Sequence, residues 1–333
     1  MLTYLIVIVV LALLFDFING FHDTANAIAT SISTRALSPR VAVMMAATLN
    51  FVGAVVSSEV AKTVGGSIAN PAKIENGVEI VIAALLAAII WNLLTWYLAI
   101  PSSSSHTLLG SLAGAVIAGA GLHAVNWSGF TQIIIILILS PIIAFVLGYL
   151  IMVLIKYIIL WSGNTSRSKL NRMFRTLQIL SAGLLSYSHG GNDAQKAMGI
   201  IVFGLVAADY QTDLTVPLWV KISAALAMGL GTSIGGWRII KTISGKIVKI
   251  EPINGFAADL TSSLVIQFST HIGKPLSTTH VISSAIIGTG SVLRFHEVQW
   301  ATVGRMLVTW VITIPISIAL AFSIYFVLFK VIF

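Results

Sequence analysis

Apolar positions run through this chain in blocks rather than in alternation. Uninterrupted or nearly uninterrupted apolar runs lie near 1–15, 41–56, 78–100, 107–122, 131–160, 177–187, 197–208, 218–240, 255–268, 281–293 and 301–333. A membrane-crossing helix needs about 20 apolar residues, so the longer runs predict full spans and the shorter ones half-spans, hairpin arms or broken helices. A stretch such as "TQIIIILILS" has no period-two alternation, which argues against a β-barrel. The pattern predicts an all-α polytopic membrane protein.

Composition agrees. Hydrophobic residues make up 57% of the 333 and charged residues 9%, where soluble domains carry about 25% charged residues. The first apolar run has no basic residue before it, the first being Arg35, so it is expected to be a retained span rather than a cleaved signal peptide. Cysteine is absent, which excludes disulfides. The net charge of +8 sits mostly in short loops, where basic residues set topology, so no nucleic-acid partner is expected. The densest basic segment is "WSGNTSRSKLNRMFR", with Arg167, Lys169, Arg172 and Arg175. It divides the chain into a first half, 1–160, a linker, 161–175, and a second half, 176–333. Basic residues at Arg35 and Arg40, in the linker, and at Lys241, Lys246 and Lys249 place these segments on the cytoplasmic side of a cell membrane. Asp209 and Asp213 fall outside. Each half then crosses an odd number of times, and the second is inverted relative to the first.

The polar residues inside the apolar blocks occur twice. "NGFHDTANAI" (19–28) aligns with "HGGNDAQKAM" (189–198), placing Gly20 on Gly190 and Asp23 on Asp193. "PSSSSH" (101–106) aligns with "PLSTTH" (275–280), and "AKTVG" near Lys62 with "IKTIS" near Lys241. Three collinear matches predict two inverted-topology repeats, a sequence pointer to secondary transporters.

An Asp at membrane depth marks function by default. Asp16 lies two turns before Asp23, and Asn26 lies one turn after it, on the same helix face. Gly20 and Gly190–Gly191 predict a helix break just before each Asp, with freed carbonyls beside a carboxylate. Such oxygen-only groups suit a hard cation. The hydroxyl motifs open with proline and lead into apolar helices, a helix-start signal. A helix N-terminus carrying extra hydroxyl donors suits a phosphate-like anion. Both motifs are expected at tips of re-entrant helical hairpins. Gly110 and Gly114 read instead as a helix-packing pair.

At these residues the chain resembles the inorganic phosphate transporter (PiT) family. "GGNDAQKAMG" matches its GxND-type signature, and the first copy carries His22 where other members carry Asn; His22 is left outside the site. The resemblance implies a transporter that moves inorganic phosphate with Na⁺ or H⁺, with no cofactor beyond the co-transported ion. It implies cation sites at Asp23, Asn26, Asp193 and Gln195. The phosphate-binding residues it implies are Ser103, Ser104, Ser105, Thr107, Asn192, Ser277, Thr278 and Thr279. Neutral oxygens beside each Asp favour sodium-coupled symport by alternating access, with phosphate, sodium and lipid as partners and a homo-oligomer compatible with the sequence. Proton coupling, sulfate as substrate, an intramembrane serine hydrolase built on Ser105–His106 and a passive anion channel are the alternatives.

Overall fold

The computed structural model describes residues 2–74, 76–161, 166–236, 240 and 247–332. Lys241 and Lys246, used above for topology and for one repeat match, lie outside the described residues, as do 162–165 of the linker. Among the described residues the secondary structure is helical, with eleven α-helices. They are α1 (Leu2–Ser33), α2 (Pro39–Val56), α3 (Glu59–Ser67), α4 (Gly77–Tyr97), α5 (Ser104–Ala120) and α6 (Trp127–Trp161). After the linker come α7 (Arg167–Ala207), α8 (Leu218–Ile234), α9 (Pro252–His271), α10 (Thr278–Arg294) and α11 (Trp300–Phe326). The basic residues Arg167, Lys169, Arg172 and Arg175 form the first turns of α7.

Five of these helices are long and apolar enough to cross a membrane: α1, α2, α4, α6 and α11. Their outer faces are apolar. On α6, Ile135, Ile138, Leu139, Ile142, Leu150 and Leu154 are exposed, a surface that only lipid or another apolar partner satisfies. The polar residues lie inside: Asp16, Asp23, Asp193, Asp259 and Lys196 are all buried. This inversion of the soluble pattern identifies an integral membrane protein.

Helix packing follows an exchange rule. Let α1, α2, α4, α5 and α6 correspond to α7, α8, α9, α10 and α11. The contact of α1 with α8 then has its counterpart in α7 with α2. That of α5 with α11 corresponds to α10 with α6, and that of α1 with α4 to α7 with α9. Single residues obey the same rule. A Cβ added to Gly53 would fall 2.0 Å from the Tyr187 carbonyl oxygen, and one added to Gly231 would fall 2.0 Å from that of Phe17. Pro141 lies inside α6 and Pro315 inside α11.

The expected helix breaks at Gly20 and Gly190–Gly191 are not there. α1 and α7 run unbroken through both Asp motifs. The glycines mark crossings instead: a Cβ at Gly20 would lie 2.5 Å from the Met228 carbonyl oxygen, and one at Gly190 would lie 2.1 Å from that of Asn50. Bare backbone here lets two helices touch. Gly114 has the same role, with the Ile318 oxygen 2.2 Å from its would-be Cβ.

The chain breaks at the hydroxyl motifs. α4 closes with Ile100 N–H donating to the Thr95 carbonyl, and α9 with Lys274 N–H donating to that of Ser269. Ala99 (φ 55°) and Gly273 (φ 67°) take the left-handed conformation in these closures, the common way for a helix to stop. Pro101 and Pro275 follow, and neither can continue the helix. α5 and α10 then start afresh. At 17 residues each, they are shorter than a full span.

Candidate functional site

Each new helix opens on a serine. Ser103 is the N-cap of α5, its Oγ accepting from the His106 N–H at 3.2 Å. Ser277 caps α10 in the same way, accepting from His280 N–H at 3.2 Å. Thr107 turns back, its hydroxyl donating to the Ser103 carbonyl at 2.9 Å. The N–H groups of Ser104 and Ser105, and of Thr278 and Thr279, begin their helices and so have no intrahelical acceptor.

The hydroxyl after each cap meets the Asp of its own half. Ser104 Oγ donates to Asp23 Oδ2 at 2.5 Å, and Thr278 Oγ1 donates to Asp193 Oδ2 at 2.9 Å. The next hydroxyl reaches across. Thr279 Oγ1 donates to Asp23 Oδ1 at 3.0 Å and accepts from Asn26 Nδ2 at 2.8 Å. Ser105 Oγ donates to the Leu276 carbonyl at 2.8 Å. The two tips therefore meet over the Asp23–Asn26 turn of α1, with their His106 and His280 rings 4.4 Å apart. None of Asp23, Asn26, Ser103–Ser105 or Ser277–Thr279 is more than 1% exposed. These side chains are shut off from solvent.

Around Asp23 the groups suit a cation. His22 Nδ1 lies 2.8 Å from Asp23 Oδ1, and its Nε2 lies 3.3 Å from Thr95 Oγ1. The Asn26 Oδ1 is buried without a hydrogen-bond partner. The hydroxyls of Ser104 and Thr279 can turn their protons away and offer lone pairs. Asp193 is set differently. Lys196 Nζ binds its Oδ1, and His189 Nε2 lies 3.2 Å from its Oδ2.

Two expected site residues have other occupations here. Gln195 Oε1 accepts from the N–H groups of Val60 (2.8 Å) and Ala61 (3.2 Å), closing the start of α3. Asn192 Nδ2 donates to Thr270 Oγ1 at 3.0 Å, while its Oδ1 is buried and unpartnered.

Sequence reasoning passed over several members of this cluster. His22 was set aside, yet it touches Asp23. Asn50, on α2, donates to Thr24 and Thr232 at 3.0 Å each and lies 3.2 Å from His189. Thr95 receives the Ser102 hydroxyl at 2.8 Å. Asn50 and Thr95 are single polar residues in apolar runs, whereas His22 lay inside the Asp motif and was set aside for departing from the family pattern. Asp16 and Asn19 are buried two turns and one turn before Asp23, and their side-chain oxygens have no hydrogen-bond partner.

Fold and site together define a membrane-embedded protein whose two hydroxyl-rich helix starts converge on buried carboxylates, an arrangement for carrying ions. The chain belongs to the Phosphate transporter family, which it matches over residues 19–321. It is 56% identical to a probable low-affinity inorganic phosphate transporter of Bacillus subtilis over 97% of this chain and 96% of that one. It is 41% identical to a protein of the same description from Rhizobium meliloti, again over 97% and 96%. The low-affinity inorganic phosphate transporter PitB of Escherichia coli is 29% identical over 96% of this chain and 95% of its own. Among solved structures, one titled "The sodium-dependent phosphate transporter" superposes with a TM-score of 0.86, covering 99% of this chain and 100% of that one at 23% identity. The fold is thus shared over the whole length. The family and these relatives are transporters, and the serine hydrolase reading falls with that.

Proposed function

We propose that this chain imports inorganic phosphate across the cytoplasmic membrane by sodium-coupled symport, with the central basic segment on the cytoplasmic side. The observation that carries the reading is the bridge made by Thr279. One hydroxyl, on the phosphate-suited tip of the second half, touches both Asp23 and Asn26 of the first half. Phosphate would be held by the free N–H groups and hydroxyls of Ser103–Ser105 and Ser277–Thr279, with Thr107 bracing the first tip and Asn192 Oδ1 facing a protonated phosphate oxygen. The cation would sit between Asp23 and Asn26 Oδ1, with Ser104 and Thr279 turned to face it. A cation there screens the carboxylate from the anion, and in a low-dielectric interior unpaired charge is costly. The two ions therefore bind together or not at all, which is what symport requires.

The exchange rule in the packing supports two repeats related by a pseudo-two-fold axis, and alternating access then follows as the halves trade conformations. The relatives named as inorganic phosphate transporters support the substrate, and the solved structure's title supports sodium. The test is uptake of radiolabelled phosphate into liposomes, under an inward sodium gradient and an inward proton gradient imposed separately, with unlabelled sulfate as competitor. Concentrative uptake driven by sodium and untouched by sulfate is the expected result. Uptake driven by protons alone would reassign Asp23 as a proton carrier; loss of uptake to sulfate would reassign the anion; and uptake that never exceeds equilibrium would make the protein a channel.

A further inference from the structure

The two Asp motifs share their Gly, Asp and Ala, and one of their differences falls at the position next to the carboxylate on the helix face. Counting 170 residues from the first copy to the second, Asp23 falls on Asp193 and Asn26 falls on Lys196. The correspondence is spatial as well. Ser104 of the first tip donates to Asp23 Oδ2, and Thr278 of the second tip donates to Asp193 Oδ2. Where the first copy offers an amide oxygen without a partner, the second offers an ammonium. Lys196 is fully buried and so is Asp193, and Nζ lies directly on Oδ1.

A buried lysine in a membrane protein is expensive and is kept where it does something. An ammonium has three donors and no lone pair, so it cannot ligate a cation. Its charge also repels one within a few ångströms, strongly in a medium of low dielectric constant. The Asp193 carboxylate is further occupied by Thr278 and faces His189. The second copy thus has a carboxylate, a hydroxyl and a positive charge already in place, which is the first copy with its cation bound.

We propose that Lys196 is a built-in cation: its ammonium occupies the second copy of the cation site permanently, so that only the Asp23 copy takes up a mobile ion. This rests on the proposal that Asp23 and Asn26 hold the co-transported cation. The tethered charge would balance Asp193 and help hold phosphate at the Thr278 tip through every cycle. The coupling ratio is then one cation lower than a protein with two open copies would show.

The test compares wild type with Lys196→Asn, which gives the second copy the first copy's residue, using radiolabelled sodium and phosphate together in liposomes. Cooperativity in sodium is bounded by the number of sites. The inference expects first-power sodium dependence from the wild-type pair of sites. It expects Lys196→Asn to need more sodium, to show second-power dependence, and to carry one additional sodium per phosphate. An unchanged flux ratio in an active Lys196→Asn protein overturns it. Should that variant fail to insert, sodium binding to purified Asp23→Asn decides: loss of sodium binding supports a closed second copy, and sodium retained at the Asp193 copy, removed only by a further Asp193→Asn change, overturns it. Failure of the underlying reading looks different, because wild type would then show no sodium-driven uptake at all.

Discussion

At the scale of single residues, the site depends on hydroxyls that serve two partners at once. Thr279 donates to Asp23 and accepts from Asn26, so its loss strands a buried donor and weakens the carboxylate's hold. Leaving buried polar groups unpaired costs about 1–3 kcal/mol, and about 1.4 kcal/mol is a factor of ten in affinity. Thr279→Val should therefore raise half-saturating phosphate by roughly tenfold or more in liposome uptake, while Thr279→Ser stays near wild type. Equal loss in both variants would mean the methyl group matters rather than the hydroxyl. These residues were legible because polar groups in apolar runs are conspicuous, and because each motif has a counterpart later in the sequence. Their pairings were not legible. Nothing in the order of residues says that Thr279 reaches back to position 23, or that Gln195 spends its oxygen on the start of α3.

At the scale of elements, glycine was read correctly as special and wrongly as a break. Gly20 and Gly190 sit in unbroken helices because each faces a carbonyl on a helix from the other part of the chain. The local sequence allows either outcome, and a partner more than a hundred residues away decides it. The true interruptions carry proline after a left-handed closing residue, at Ala99 and Gly273, and there the sequence signal was sufficient. Gly53 gives a direct check. A Cβ there meets the Tyr187 oxygen at 2.0 Å, whereas Gly304 has nothing within 4 Å. Overpacking of this kind costs about 1–3 kcal/mol, so Gly53→Ala should lower the thermal midpoint in detergent. Gly304→Ala should leave it equal or higher, since alanine favours a helix interior by about 1 kcal/mol. Matching losses in the two variants would refute the crossing.

At the scale of the whole molecule, the apolar blocks outlined an all-helical membrane protein before any geometry. The exchange of packing partners adds what a linear reading could not: α5, which opens at the first hydroxyl motif, packs on α11, and α10, which opens at the second, packs on α6. Sidedness can be tested cleanly because the chain has no cysteine. Arg172→Cys, on the first turns of α7, should react with an impermeant maleimide only after cells are opened. Asp213→Cys, beyond the far end of α7, should react in intact cells. Labelling of both from one side would place the ends of α7 on the same face and remove the basis for inversion.

The central claim is that one buried site holds anion and cation together, through Asp23. The most direct measurement is calorimetric titration of phosphate into purified protein, with and without sodium, for wild type and Asp23→Asn. Coupling between two ligands is reciprocal, so phosphate affinity must rise with sodium if the sites are linked. The account predicts tight phosphate binding by wild type only in sodium, and no sodium effect in Asp23→Asn. The same sodium enhancement in both proteins would contradict it.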